Sequence, residues 1–174
     1  MGTYTSMWTE PLRANDAWAS TPSDAGLYRW FLHGPLPESF NWPSRLSPLL
    51  TGDLLYVGKA NSLRTRAKHH RLPTPGSTLR RTLASLVGYP AVGRGKSAHP
   101  GISEADNALL TEWMSNNLLM SFRVLEAGEV LKDTEAALRN ESQAPLNKDY
   151  MNPEQEHASA VRKLWRLTAT DLRG

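Results

Sequence analysis

Two tyrosines stand in short glycine-containing motifs near the N-terminus. Tyr28 follows Gly26 in the run Gly-Leu-Tyr, and Tyr56 precedes Gly58 in the run Tyr-Val-Gly. Both runs lie in apolar segments rich in β-preferring residues, so each is predicted to be a strand. If the two strands pair antiparallel, they bring both phenols to one face of the sheet.

A basic segment follows the second tyrosine motif directly. It contains Lys59, and then Arg64, Arg66, Lys68 and His70 on a helix predicted to begin at residue 61 or 62. Arg66 and His70 are four residues apart and therefore share a helix face. A guanidinium is always charged and its donors match phosphate geometry, so this face is suited to a phosphate.

The tyrosine motifs and the run from Tyr56 to His70 resemble the GIY-YIG nuclease superfamily. The run from Tyr56 to His70 closely resembles the equivalent segment in the N-terminal nuclease domain of the bacterial excision-repair incision subunit. The resemblance covers residues 26–71 and 121–148. It implies an α+β fold, with a small, mainly antiparallel sheet begun by an N-terminal hairpin and flanked by helices.

Members of this superfamily also carry a glutamate on a later helix and an asparagine after a proline-containing turn. Asn147 follows Pro145, and both Glu135 and Glu141 precede that turn. In a helix over 129–142, Glu135 lies on the same face as Leu131 and Leu138. A carboxylate in an apolar stripe is costly unless it is paired or binds a metal, so Glu135 is chosen.

The resemblance implies that the chain is a metal-dependent DNA endonuclease. Glu135 would hold one Mg²⁺ or Mn²⁺, Arg66 would contact the phosphate, and a tyrosine would act as general base. Tyr28 is favoured as that base, with Tyr56 positioning the water or the metal shell. Lys59, Arg66 and the metal are expected to lower the phenol pKa from about 10.

The remaining site residues are expected to support these groups. His70 is predicted to support the phosphate or the base, and Asn147 to fix the turn by hydrogen bonding. Gly26 and Gly58 are supporting residues of the tyrosine motifs. The predicted contacts to DNA, expected to be double-stranded, are Arg64, Lys68, Arg80 and Arg81. Arg80 and Arg81 are expected to face outward from an amphipathic helix over 77–87.

The elements that position these residues follow from local patterns. Residues 1–24 are predicted to be irregular, and residues 34–52 form a proline-rich loop. After the helix over 77–87, a mobile stretch over 89–102 leads to a helix over 103–117. Next come a strand over 121–127, a helix over 129–142 and a C-terminal helix over 153–166. The core spans about 24–150 of a single domain over 1–174, with insertions at 34–52 and 72–119.

Composition limits the function classes. The chain has no cysteine, which excludes disulfides, thiolate zinc sites and a cysteine nucleophile. No apolar run is long enough to span a membrane, so a cytoplasmic location is expected. No small-molecule cofactor is expected. No Asp or Glu occurs from Leu54 to Ser103, and this stretch holds nine of the 20 Lys and Arg residues. Such segregation favours a polyanionic partner.

Three functions remain open from the sequence. The first is an endonuclease of repair, restriction or mobile-element processing. The second is a catalytically silent nucleic-acid-binding module, and the third is a DNase toxin. Specificity is expected to come from the insertions, from a homodimer or from a partner protein, because no second domain is visible.

Overall fold

The structure, a computed structural model, describes residues 7–71, 74–93 and 99–169. They form a four-stranded sheet, antiparallel throughout, with the strand order β1-β4-β2-β3. The strands are β1 (Leu12–Arg13), β2 (Gly26–Leu32), β3 (Leu54–Ala60) and β4 (Leu118–Val124). The predicted α+β class and the antiparallel pairing of β2 with β3 are confirmed.

In the described residues, six helices flank the sheet. They are α1 (Ala14–Ser20), α2 (Leu63–Arg71), α3 (Thr78–Val87), α4 (Glu104–Asn117), α5 (Leu131–Ser142) and α6 (Pro153–Leu167), with a 3-10 turn at Thr74–Gly76. The side chains of Ser77, Ser103 and Asn152 cap α3, α4 and α6 by accepting from backbone N–H groups. Gly88 ends α3 in the left-handed conformation, with φ at 89°.

Three elements, β1, α1 and β4, differ from the sequence prediction. Residues 1–24 were expected to be irregular, but β1 and α1 lie within them, and Ala14, Ala17 and Trp18 of α1 are buried. Strand β4 runs over 118–124 rather than 121–127, because Leu118 to Val124 pair with β2 from Leu32 to Gly26. Local alternation cannot reveal such a register, which long-range pairing sets.

The proline-rich segment over 34–52 is a loop, as predicted. It lies against the N-terminal half of α6, where the Asn41 carbonyl contacts His157 Nε2 at 2.8 Å and Glu154 accepts from the Ser47 amide. Of the stretch expected to be mobile over 89–102, residues 94–98 lie outside the described residues. Val92 and Gly101 form an isolated antiparallel bridge.

One hydrophobic core joins the sheet to the helices, and Trp30 of β2 is fully buried in it. Helix α5 contacts β3, and α6 packs against α3. No helix in the described part of the chain has the length and apolar character that a bilayer crossing demands.

Candidate active site

The two tyrosines lie side by side on β2 and β3. Tyr28 is paired with Gly58 across the strands, and the two phenol rings stack with centroids 6.3 Å apart and planes 26° apart. A Cβ atom on Gly58 would lie 2.4 Å from the Tyr28 hydroxyl oxygen. The Tyr28 ring therefore occupies the space that a side chain at position 58 would fill.

Gly26 makes a similarly close approach on the other side of β2. A Cβ atom there would lie 2.3 Å from the carbonyl oxygen of Arg123 in β4. Both glycines of the tyrosine motifs are thus explained by packing. Gly26 lets β4 approach β2, and Gly58 makes room for a phenol.

The two phenols differ in their access to water. Tyr28 is only 3% exposed, whereas Tyr56 is partly exposed. Burial raises the pKa of Tyr28 well above its usual value of 10, and the neighbouring Tyr56 raises it further. Burial also raises the pKa of Tyr56, but the charges of Arg66, Arg139 and Arg162 oppose this effect. Without a bound metal, burial has the larger effect and raises the pKa of both phenols above 10 despite the nearby cations. The expectation that Lys59, Arg66 and the metal together lower a phenol pKa stays a prediction.

Glu135 faces this pair of tyrosines from α5. It is 9% exposed, and its Oε2 lies 2.7 Å from Lys59 Nζ. Arg139 Nη1 lies 3.7 Å from Oε1, and Arg139 is itself held by Asp149. The negative charge of Glu135 acts on both Tyr28 and Tyr56, so the predicted carboxylate and the phenols share one site.

Glu141, the competing carboxylate, lies elsewhere. It is exposed and lines a cavity of about 310 Å³ together with Trp8, Leu27 and Arg123. Its charge acts on Arg29, and the tyrosines are not among the groups it influences. The placement of the two residues therefore favours Glu135 as the active-site carboxylate.

Arg66 on α2 brings a positive charge to the same place. Its side chain is partly buried, and its guanidinium has no hydrogen bond or ion pair within the described residues. Its charge nevertheless acts on Tyr28, Tyr56 and His70. Its donors are thus available to an anion. Arg64 and Lys68 are exposed on the same helix, and Arg64 Nε donates to the Thr21 carbonyl at 3.1 Å.

His70 lies behind the phenols and out of reach of a substrate. It is 1% exposed, its ring meets those of Tyr28 and Trp30 edge to face, and its Nδ1 is 2.9 Å from Ser77 Oγ. Burial lowers the pKa of His70 from 6.5 to about 3, so the ring is neutral. The expectation of a phosphate contact is wrong for this residue. What remains is support of Tyr28 by packing.

Arg80 and Arg81 were expected to face solvent, and this is wrong for both. Arg80 is completely buried and donates to the carbonyls of His70 and Asn107 at 2.9 and 3.2 Å. Arg81 is 8% exposed and donates to the Pro75 carbonyl at 2.8 Å. Every residue of α3 from 79 to 87 is buried, so the helix has no solvent face on which to place them.

Asn147 is hydrogen-bonded to β3, the strand that carries Tyr56. Its Oδ1 accepts from the Val57 amide, and its Nδ2 donates to the Val57 carbonyl, each at 2.9 Å. Leu146 also donates to the Leu55 carbonyl. Since β3 is an edge strand, these bonds replace a missing neighbour and fix the backbone between Tyr56 and Gly58.

Two cations near Tyr56 were missed by the sequence analysis. Arg139 follows Glu135 by four residues, a spacing that predicts an ion pair on a helix and could have been noticed. Arg162 comes from α6, far away in sequence, and no local signal links it to the tyrosines. Its proximity depends on the packing of α6 against α3.

A divalent metal would have few protein ligands here. The described residues contain no group of three or more carboxylate, imidazole or thiolate side chains that could hold a metal ion. A single carboxylate still fits Mg²⁺, which commonly binds through one or two carboxylates, substrate phosphates and water. Glu135 would provide that carboxylate, and the side chain of its partner Lys59 is 38% exposed.

Comparison with known proteins agrees with this geometry. A family model described as the GIY-YIG catalytic domain matches residues 26–170, which include both tyrosine motifs, Arg66, Glu135 and Asn147. No curated protein and no solved structure matches the chain significantly. With the family model covering most of the sequence, the chain belongs to the GIY-YIG catalytic-domain family.

Proposed function

We propose that this protein is a divalent-metal-dependent endonuclease that hydrolyses phosphodiester bonds in double-stranded DNA. Membership of the GIY-YIG family implies a nuclease-type function, and GIY-YIG nucleases typically depend on a divalent metal. The observation that carries the proposal is the meeting of two phenols, the Arg66 guanidinium and the Glu135 carboxylate at one site.

Each group matches one demand of the reaction. Phosphodiester hydrolysis needs a deprotonated water and neutralisation of charge on the phosphoryl oxygens. Arg66 has free donors for those oxygens, and Glu135 would hold the metal. A bound metal supplies further positive charge at the phosphate. Lys59 pairs with Glu135, with its Nζ 2.7 Å from Oε2.

Tyr56 is the better-placed general base of the two phenols. It is the more exposed, and three arginines offset the rise in its pKa, whereas only Arg66 does so for Tyr28. Tyr28 would then orient Tyr56 by stacking. This assignment differs from the sequence-based preference for Tyr28, and it rests on solvent access together with local charge.

The test is plasmid nicking by the wild type, Glu135→Gln and the matched control Glu141→Gln, with Mg²⁺ or Mn²⁺ and with EDTA. We expect nicking by the wild type and Glu141→Gln only when metal is present, and a loss of at least about 100-fold in Glu135→Gln. If the wild type cuts no better than Glu135→Gln, the enzymatic proposal fails.

A pH profile tests the base. A phenol acts as a base only when it is deprotonated, and burial raises the pKa of Tyr56, so the single-turnover rate should rise with pH by up to about tenfold per unit below the phenol pKa of the metal-bound protein. Tyr56→Phe should abolish this rise. A wild-type rate that stays level from neutral to alkaline pH would exclude a phenol as the base.

A further inference from the structure

A second group of cations lies on α6 and in the loop before it, and one of its members, Arg162, acts on Tyr56 of the site described above. It consists of Arg162 and Arg166 on α6 and Lys148 in the loop before α6, whose charges all act on His99, and it is here called the α6 basic surface. Arg166 and Lys148 are exposed, and Arg162 is partly buried. Arg81 lies beneath this surface and adds its charge to it. Its guanidinium donates hydrogen bonds to the Pro75 carbonyl and to Thr78 Oγ1 and is therefore turned away from solvent.

The packing of α6 on α3 fixes this arrangement. Arg162 Nη1 donates to Thr82 Oγ1 of α3 at 2.7 Å, and Trp165 Nε1 donates to the Tyr89 carbonyl at 2.7 Å. A cavity of about 230 Å³ lies next to the surface, lined by Pro100, Lys163, Arg166 and Leu167. The arginines are thus presented by rigid elements rather than by a loose tail.

Among the residues that the structure describes, no ion pair neutralises the charges of the α6 basic surface. In the described part of the chain, the ion pairs involve Lys59, Arg123 and Arg139, and none includes Arg162, Arg166 or Lys148. Burial lowers the pKa of Arg162, and repulsion from Arg166 contributes to the same effect. Clustered like charges are unfavourable in the free protein, and a bound polyanion relieves that cost.

The surface is continuous with the candidate active site. Arg162 is one of the charges that act on Tyr56, and Arg81 also interacts with that phenol. Tyr150 lies near Arg162, is 63% exposed and has a positive φ of 56°, so an aromatic ring is presented at the same edge. Phosphates bound here would belong to the segment of the DNA strand that adjoins the reacting phosphate.

A simpler explanation covers only part of this pattern. A cation in the last turn of a helix interacts favourably with the helix dipole, which would account for Arg166 alone. It does not account for Arg162, which lies a turn earlier, or for Lys148, which lies outside the helix. A contribution of Arg166 to helix stability is separable from binding, because it would lower the Tm without changing the salt dependence of binding.

We propose that the α6 basic surface binds the sugar–phosphate backbone of duplex DNA beside the scissile phosphate. The identity of the polyanion rests on the proposed nuclease function. The surface extends the DNA contacts predicted for Arg66, Arg64 and Lys68 on α2, so the DNA is bound on a second side of the tyrosine pair. Such contacts position the duplex without reading its sequence.

The experiment measures the affinity for a short fluorescent duplex by anisotropy, in EDTA and over a range of NaCl concentrations. The test variant is Arg162→Gln with Arg166→Gln. The charge-matched control is Arg13→Gln with Arg45→Gln, two exposed arginines outside the α6 basic surface. A second test variant, Lys148→Gln with Arg166→Gln, removes only exposed side chains and keeps the Arg162 hydrogen bonds, so it should fold even if the first does not.

Each lost phosphate contact lowers the slope of log K against log salt by about 0.9, so each test variant should lose about 1.8 relative to the wild type. The control should keep the wild-type slope. Equal slopes in the test and control variants would overturn the inference, whether the surface is unused or serves an acidic protein instead. Nicking by the wild type in Mg²⁺ is measured in parallel. If the wild type cuts DNA but the slopes are unchanged, only the role of the surface is refuted. If the wild type neither binds nor cuts DNA, the proposed function is refuted as well.

Discussion

Replacing Gly58 with alanine tests the geometry of the tyrosine pair most directly. The added Cβ would lie 2.4 Å from the Tyr28 hydroxyl oxygen and 2.5 Å from Cζ, whereas ordinary contacts begin at 3.4 Å. The Tyr28 ring must therefore move by about 1 Å, and Tyr56 stacks on that ring. A displacement of about 1 Å at a reacting centre can cost roughly 100-fold in rate.

The stability cost should be moderate, because the clash involves the end of a side chain rather than backbone. Overpacking of this kind costs about 1–3 kcal/mol. In a chain of this length that corresponds to a Tm lower by roughly 3–9 °C. The variant should thus remain folded at the assay temperature while nicking about 100-fold more slowly than the wild type.

Two other glycines provide the comparison. At Gly76 no atom lies within 4 Å of an added Cβ, so Gly76→Ala should keep both activity and Tm. At Gly26 the clash is with a backbone carbonyl at 2.3 Å, so Gly26→Ala should lower the Tm more than Gly58→Ala does. Thermal unfolding and plasmid nicking measure these effects. If Gly58→Ala nicks at the wild-type rate with an unchanged Tm, Tyr28 does not occupy the space over Gly58 and the reasoning fails.

Two further predictions concern residues that position the phenols. Asn147→Ala leaves the Val57 amide and carbonyl without their side-chain partner, so urea unfolding should show a free energy of unfolding lower by about 2–4 kcal/mol. The control Asn140→Ala, at an exposed position, should show almost no loss. A loss under about 1 kcal/mol for Asn147→Ala would contradict the paired hydrogen bonds. The folded-state pKa of His70 is lowered to about 3, so its contribution to stability is complete above pH 6.5 and is lost as the pH falls toward 3, by up to about 1.4 kcal/mol per pH unit. His70→Gln should remove this slope and the exposed His69→Gln should keep it; equal slopes in all three proteins would show that His70 is not held neutral.

Much of the local structure was predictable because its causes are local. The caps at Ser77, Ser103 and Asn152 are side-chain bonds to a backbone amide three residues further on, and the sequence shows them directly. By contrast α1 has seven residues and no side-chain cap, so its existence depends on burying Trp18 against the rest of the fold. A helix of two turns has too little stability of its own to be identified with confidence from its sequence.

The same division applies to the candidate site. The resemblance of the tyrosine motifs to the GIY-YIG family, together with the helical periodicity that favoured Glu135, was sufficient to propose Tyr28, Tyr56, Arg66 and Glu135 as its members, because motifs and periodicity are properties of the chain itself. Whether a side chain is buried or exposed is not such a property. Arg80 is buried because α3 is covered on every side, and Arg162 reaches Tyr56 because α6 packs on α3. Which phenol meets water and which cations surround it were decided by tertiary packing, since burial and long-range charge depend on segments that are distant in sequence.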